Sequence, residues 1–166
     1  MAEFRIEQKG FKSAILGLRQ FEQSLEDASE PISTAMRYVG TMLERDARSG
    51  KKLGGGTFAP YSKSYLEWLL DNGFLAGKKW LRLSGDMFAG MRAIATRKQG
   101  RIGYLRENKE AMKANVHHKG SSKRNIPARP WFGWRKKYIT HITDRIMWPW
   151  IKRQAEQAGL DLKVKF

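Results

Sequence analysis

The chain has 166 residues, 41% of them hydrophobic, with no cysteine and a formal net charge of +16. That length suits one domain with a modest core, and the hydrophobic share, with six Trp and eight Phe, excludes a disordered chain. The lack of cysteine excludes disulfides and thiolate metal sites and fits a reducing cytoplasm. No apolar run approaches the ~20 residues of a membrane-spanning helix, and Met1-Ala2-Glu3-Phe4-Arg5 lacks the apolar segment of a secretory signal. The charge is lopsided. Residues 1–50 carry 7 basic and 8 acidic side chains, residues 51–96 carry 7 and 3, and residues 97–166 carry 18 and 5. A basic second half favours an acidic partner, nucleic acid or protein, over a neutral one.

In chain order, Phe4 and Ile6 alternate with charges and predict a short strand. Phe11, Ile15, Leu18, Phe21 and Leu25 recur at helical spacing. Glu26, Asp27 and Ser29 interrupt that stripe, and Pro31 suits the first turn of a second helix. Ile32, Ala35, Met36, Val39, Met42 and Leu43 continue it, with Gly40 inside as a weak point costing ~1 kcal/mol. Residues 49–60 hold Lys51-Lys52-Leu53-Gly54-Gly55-Gly56 and Pro60, and predict a mobile loop. The lysines precede the glycines, so this is no phosphate-binding loop of the Gly-Lys-Ser/Thr kind. A helix is expected over Ser62–Asp71, ending at Asn72-Gly73, and a short helical stretch over Met87–Met91.

A β-hairpin is expected from Ala93–Thr96 and Arg101–Leu105 around Lys98-Gln99-Gly100. Ala114–His118 reads as a further strand and Gly120–Asn125 as a loop. The last helix should span about 134–158, with Ile139, Ile142, Ile146 and Trp150 on one face and a kink or break at Pro149. Leu160, Leu162, Val164 and Phe166 alternate with polar residues and predict a terminal strand over 160–166. The sum is a single α+β domain over 1–166: a small, mostly antiparallel sheet with helices packed mainly on one face.

The sequence offers little to a catalytic reading. On a strand His117 and His118 would face opposite sides, and no metal-ligand spacing joins them or His141 to carboxylates. No catalytic residue, metal site or cofactor is expected. A basic toxin-like nuclease is the enzyme alternative, and a basic nucleic-acid-binding module, with Trp131, Trp134 and Tyr138 among the positive charges, is the binding alternative.

The distinctive stretch is Ile126-Pro127-Ala128-Arg129-Pro130-Trp131-Phe132-Gly133. Two prolines three residues apart fix backbone angles and withhold two donors, giving an extended strap. Arg129 supplies a planar charged fork, and Trp131 with Phe132 supplies an aromatic anchor. A stiff loop docked on its own domain is the plain reading, and such a loop also serves as an interface element.

Taken in order, Leu83-Ser84-Gly85-Asp86-Met87, Val116-His117-His118-Lys119-Gly120 and Ile126–Gly133 resemble the phage virion morphogenesis family, which includes the Mu-type G protein and the tail-completion or neck proteins. That family has a Leu-x-x-(Ser/Thr)-Gly-x-Leu element, a hairpin, a strand ending in Tyr-Ala-x-x-His-x-x-Gly, and an Ile-Pro-Ala-Arg-Pro-Phe-Leu-Gly segment. Phe58-Ala59-Pro60-Tyr61-Ser62 is similar to its Trp-x-Pro-Leu-Ser stretch, so the resemblance covers roughly residues 40–150. Met87 stands for the usual Leu and Trp131-Phe132 for Phe-Leu. The resemblance implies a non-enzymatic structural protein of the head–tail junction, made in the host cytoplasm and carried in the virion. It would form a homo-oligomeric ring, six-fold by expectation, and meet neighbouring connector and tail proteins, with at most non-specific DNA contact and no membrane. The interaction residues expected are Lys51 and Lys52 on the loop, and Ile126, Pro127, Arg129, Pro130, Trp131 and Phe132 on the strap.

Overall fold

The computed structural model describes residues 3–6, 11–73, 81, 86–105 and 108–165. It is an α+β fold, predominantly helical, with antiparallel pairing of its terminal strands. Strand β1 (Glu3–Ile6) is followed by α1 (Phe11–Leu25), α2 (Ser29–Arg48), α3 (Lys63–Asp71) and α4 (Asp86–Ala89). Strands β2 (Arg92–Ala95) and β3 (Gly100–Gly103) come next, then α5 (Lys109–Lys119), α6 (Lys136–His141), α7 (Trp148–Gln157) and β4 (Leu162–Lys165).

The strands form two separate two-stranded pairs, β1 with β4 and β2 with β3, in place of the single sheet expected. In the first pair Phe4 lies opposite Val164 and Ile6 opposite Leu162. In the second, Thr96 N–H donates to the Gln99 carbonyl at 2.7 Å and closes the expected hairpin.

Two compact units make up the chain. The first combines residues 1–36, 94–101 and 137–166. Its core joins Ala155, Ala158, Leu160 and Leu162, with Phe21 and Ile151 packed against them. Gly100 is required here: a Cβ would sit 2.7 Å from Ile32 and Met36 side chains of α2. The last helix does not break at Pro149. Residues Ile142–Met147 widen into π geometry, shown by Trp148 N–H donating to the Thr143 carbonyl five residues back. A proline lacks an N–H and its ring crowds the preceding turn, and the widened turn absorbs that crowding without a break. Ile139, expected on the buried face, is 52% exposed, while Tyr138 and Trp150 are buried.

The second unit combines residues 37–93 and 102–136. Its core is Ala47, Phe58, Leu81, Met87, Phe88, Ala114 and Trp131, with Met91, Tyr104 and Phe132 packed against it. Gly40 earns its place in α2 because a Cβ there would lie 2.9 Å from Ile102 Cδ1. Burial pushes the Tyr104 hydroxyl up to about 12, with Glu110 adding to the effect, and that hydroxyl donates to the Met87 carbonyl at 2.5 Å.

The strand expected at Ala114–His118 is instead the second half of helix α5. Asn108 caps it, its side-chain oxygen accepting from Ala111 N–H at 2.8 Å, and Glu110 pairs with Lys113 at 2.8 Å one turn on. Ser62 caps α3 in the same way, accepting from Tyr65 N–H. The expected Leu83-Ser84-Gly85 element lies outside the described residues.

Candidate functional site

Everything singled out between residues 51 and 62, and between 117 and 133, converges in the second unit. Helix α5 ends at Gly120, whose φ of 80° turns the chain back. A tight turn follows, in which Ser121 and Ile126 exchange backbone hydrogen bonds at 2.8 and 2.9 Å. The strap then runs back along the helix end. Arg129 N–H donates to the His117 carbonyl at 2.8 Å, satisfying an acceptor that the helix terminus leaves open. Trp131 Nε1 donates to the Ala114 carbonyl at 3.4 Å, and Phe132 N–H reaches His118 Nδ1 at 3.4 Å. Glycine is demanded at 120 twice over. Its φ is positive, and a Cβ would meet the Ala128 nitrogen at 2.8 Å and the Ile126 oxygen at 2.9 Å, both backbone atoms that cannot step aside.

Arg129 and Trp131 face inward, at 2% and 1% exposure. The Arg129 guanidinium lies over the Tyr61 ring, 4.6 Å from its centroid, with Nη2 3.5 Å from the Pro60 carbonyl. Burial lowers its pKa, while the Tyr61 and Tyr65 hydroxyls raise it. It remains a cation clamped between the strap and the Pro60-Tyr61 segment. Trp131 meets Phe88 and Phe132 edge-on, each with centroids 5.4 Å apart. Of the strap residues expected at an interface, Pro127 is exposed and Ile126, Pro130 and Phe132 are half-buried.

The glycine loop is also tied down. Lys51 and Thr57 bridge, Lys52 N–H donates to Gly56 O at 3.0 Å, and Leu53 N–H donates to Pro130 O at 2.7 Å. Leu53 packs over Gly133, where a Cβ would come within 2.5 Å of it. The Lys51–Thr57 segment is thus a closed loop whose ends are paired with each other and with the strap. Lys51 is exposed and Lys52 half-buried.

Under the loop lies an ion pair that pattern reading missed. Asp46 Oδ2 stands 3.4 Å from Arg135 Nε, with the carboxylate side chain 2% and the arginine 13% exposed. Arg135 Nη2 also donates to the Lys51 carbonyl at 3.0 Å. The signal was present: Met42, Leu43 and Ala47 are core positions of α2, and a carboxylate set among them needs a cation.

Tyr61 and Tyr65 were likewise unassigned. They form one wall of a groove of about 670 Å³ whose other wall is the turn and strap from Ser121 to Pro127, with His117 and Arg129 between. Burial lowers the pKa of His117, with Arg129 adding to the effect, so its imidazole is neutral at neutral pH. Burial also lowers that of His118, with Lys119 adding. Among the described residues no cluster of His, Asp or Glu is arranged to hold a metal ion.

Compared with known proteins, the chain matches no family model, no curated protein and no solved structure.

Proposed function

We propose that the chain is a structural protein of a tailed-phage particle, a subunit of a ring that joins or finishes the tail at the head–tail junction. The observation that carries this is the convergence of the segments on which the family resemblance rests. Residues 58–62, 116–120 and 126–133 are separated in sequence, yet His117 O, Arg129 and Pro60 O are linked by hydrogen bonds, and Gly120 lets the strap cross the helix end. Motif residues that hold one another in place form a scaffold. This supports a role in presenting surfaces more than a role in transforming a substrate.

Surfaces for such contacts are available. In the second unit Leu105, Met112 and Trp134 are 63%, 60% and 54% exposed. In the first, α1 exposes an apolar row of its own. A closed ring built head-to-tail needs two different patches on each subunit, and uncovered large apolar side chains are the expected currency of both. The basic second half then faces acidic neighbours in the particle. Among the described residues, no helix is long and apolar enough to cross a membrane.

Electron microscopy of the purified protein tests the reading. Closed rings are expected, loosening as salt rises where charge holds them. Solitary particles at every concentration, with or without the neighbouring virion proteins, would remove it.

A further inference from the structure

The groove beside the strap has a chemistry that ring assembly does not use. Its first wall is aromatic. Tyr61 and Tyr65 lie 5.0 Å apart between centroids, and Tyr65 stacks on Trp68 at 5.9 Å with only 12° between the ring planes. Its second wall carries Ser122 and Arg124, both exposed on the turn after α5. Arg129 and His117 make up the more buried lining, and among the described residues no acidic side chain lines the groove. Residues 119–129 add Lys119 and Lys123 to Arg124 and Arg129 without a single Asp or Glu.

Planar rings on one side and hydroxyl and guanidinium groups on the other suit a ligand with a flat face and an anionic edge. A cavity of about 670 Å³ is of the size that accepts one small molecule or one inserted group. It has no room for a duplex, whose bases are in any case already stacked on one another. An acidic peptide would meet the cationic rim but leave the tyrosine wall without a flat partner. A single strand satisfies both walls, because every base offers a π-face and every phosphate a charge.

We propose that this groove holds one nucleotide of a single-stranded nucleic acid, its base against the Tyr61–Tyr65 wall and its phosphate at Arg124. The site shares Ile126, Pro127 and Arg129 with the strap, but the exposed residues offered above for ring contacts, Leu105, Met112 and Trp134, do not line it, so failure of one reading leaves the other standing. Aromatic stacking sets affinity with little sequence preference, and the surrounding positive charge makes binding fall with salt.

The test is fluorescence anisotropy of a labelled oligothymidylate titrated with the full-length protein at ~0.15 M salt. The single strand should bind more tightly than the matching duplex. Tyr65→Ala should weaken binding roughly tenfold, the effect of losing one stacked base, while Tyr65→Phe retains it. Arg124→Ala should reduce the slope of log affinity against log salt by about 0.7, one phosphate contact on a single strand. Arg124 is exposed on a turn, so it still decides the matter should Tyr65→Ala not fold. Equal affinity for the duplex, an unchanged salt slope in Arg124→Ala, or displacement of the oligonucleotide by polyglutamate at equal charge overturns the proposal.

Discussion

The strap and helix α1 treat their large side chains in opposite ways. Between residues 129 and 131 the chain buries an arginine and a tryptophan to 2% and 1% exposure. Along α1, Ile15, Leu18 and Leu25 stay between 37% and 44% exposed, although their spacing marks them as a core stripe as plainly as any in the sequence, and Leu16 beside them is 58% exposed. Phe21 of that stripe packs against the core of its unit. The contrast separates two tasks that sequence patterns write in the same letters. Apolar and aromatic residues of the strap hold a scaffold together, and Ile15, Leu16, Leu18 and Leu25 of α1 stay exposed, as the proposed assembly role requires.

The sharpest way to break the comparison is at Trp131. Trp131→Ala removes the side chain that joins Phe88, Phe132 and the Ala114 carbonyl, and should cost about 3–5 kcal/mol, read as a lowered urea midpoint. A midpoint unchanged within error would mean that the strap is not part of the core. Asp46→Ala comes next. It leaves Arg135 nearly buried without its carboxylate and should cost about 3 kcal/mol. Restoration by Arg135→Met in the same chain would show that the penalty belongs to the orphaned charge.

Gly133→Ala should cost about 1–3 kcal/mol through the clash with Leu53. The double variant Gly133→Ala with Leu53→Ala should recover part of that loss, and simple additivity of the two would show that loop and strap are not in contact. The smallest effect is pH dependence. His117 and His118 both have pKa values lowered in the fold by burial, so the unfolded chain binds their protons first. Stability is then fully present above the unfolded value of about 6.5 and lost as pH falls through the folded values. His117→Gln should flatten part of that slope.

Local patterns were legible and long-range ones were not. The apolar spacing of α1 gives its limits, and the alternation of Leu162 and Val164 gives β4, because these patterns need only neighbours a few residues apart. Ala114–His118 reads as a strand in the sequence but is the second half of helix α5. Met112 is in fact 60% exposed, and the cap at Asn108 and the Glu110–Lys113 pair decide for helix. The division into two strand pairs depends on which short segments meet across the chain, and no period carries that information. At the site, the two prolines marked the strap as a stiff, non-sheet segment, as the structure has it. Its inward-facing arginine was hidden, since an arginine in a sequence does not reveal that Tyr61, sixty-eight positions earlier, will lie beneath it. The three glycines at 54–56 suggested motion, and the carbonyl of Pro130 that anchors Leu53 lies far along the chain.

Sedimentation of the parent protein beside the α1 variant Leu16→Asp with Leu18→Asp tests the central claim most directly. Both positions are exposed in the chain itself, so folding stability should change by no more than about 0.5 kcal/mol. The account predicts a parent that forms a large closed oligomer as concentration rises and a variant that folds normally but stays smaller. A parent that remains monomeric throughout, or a variant that assembles as the parent does, would contradict it.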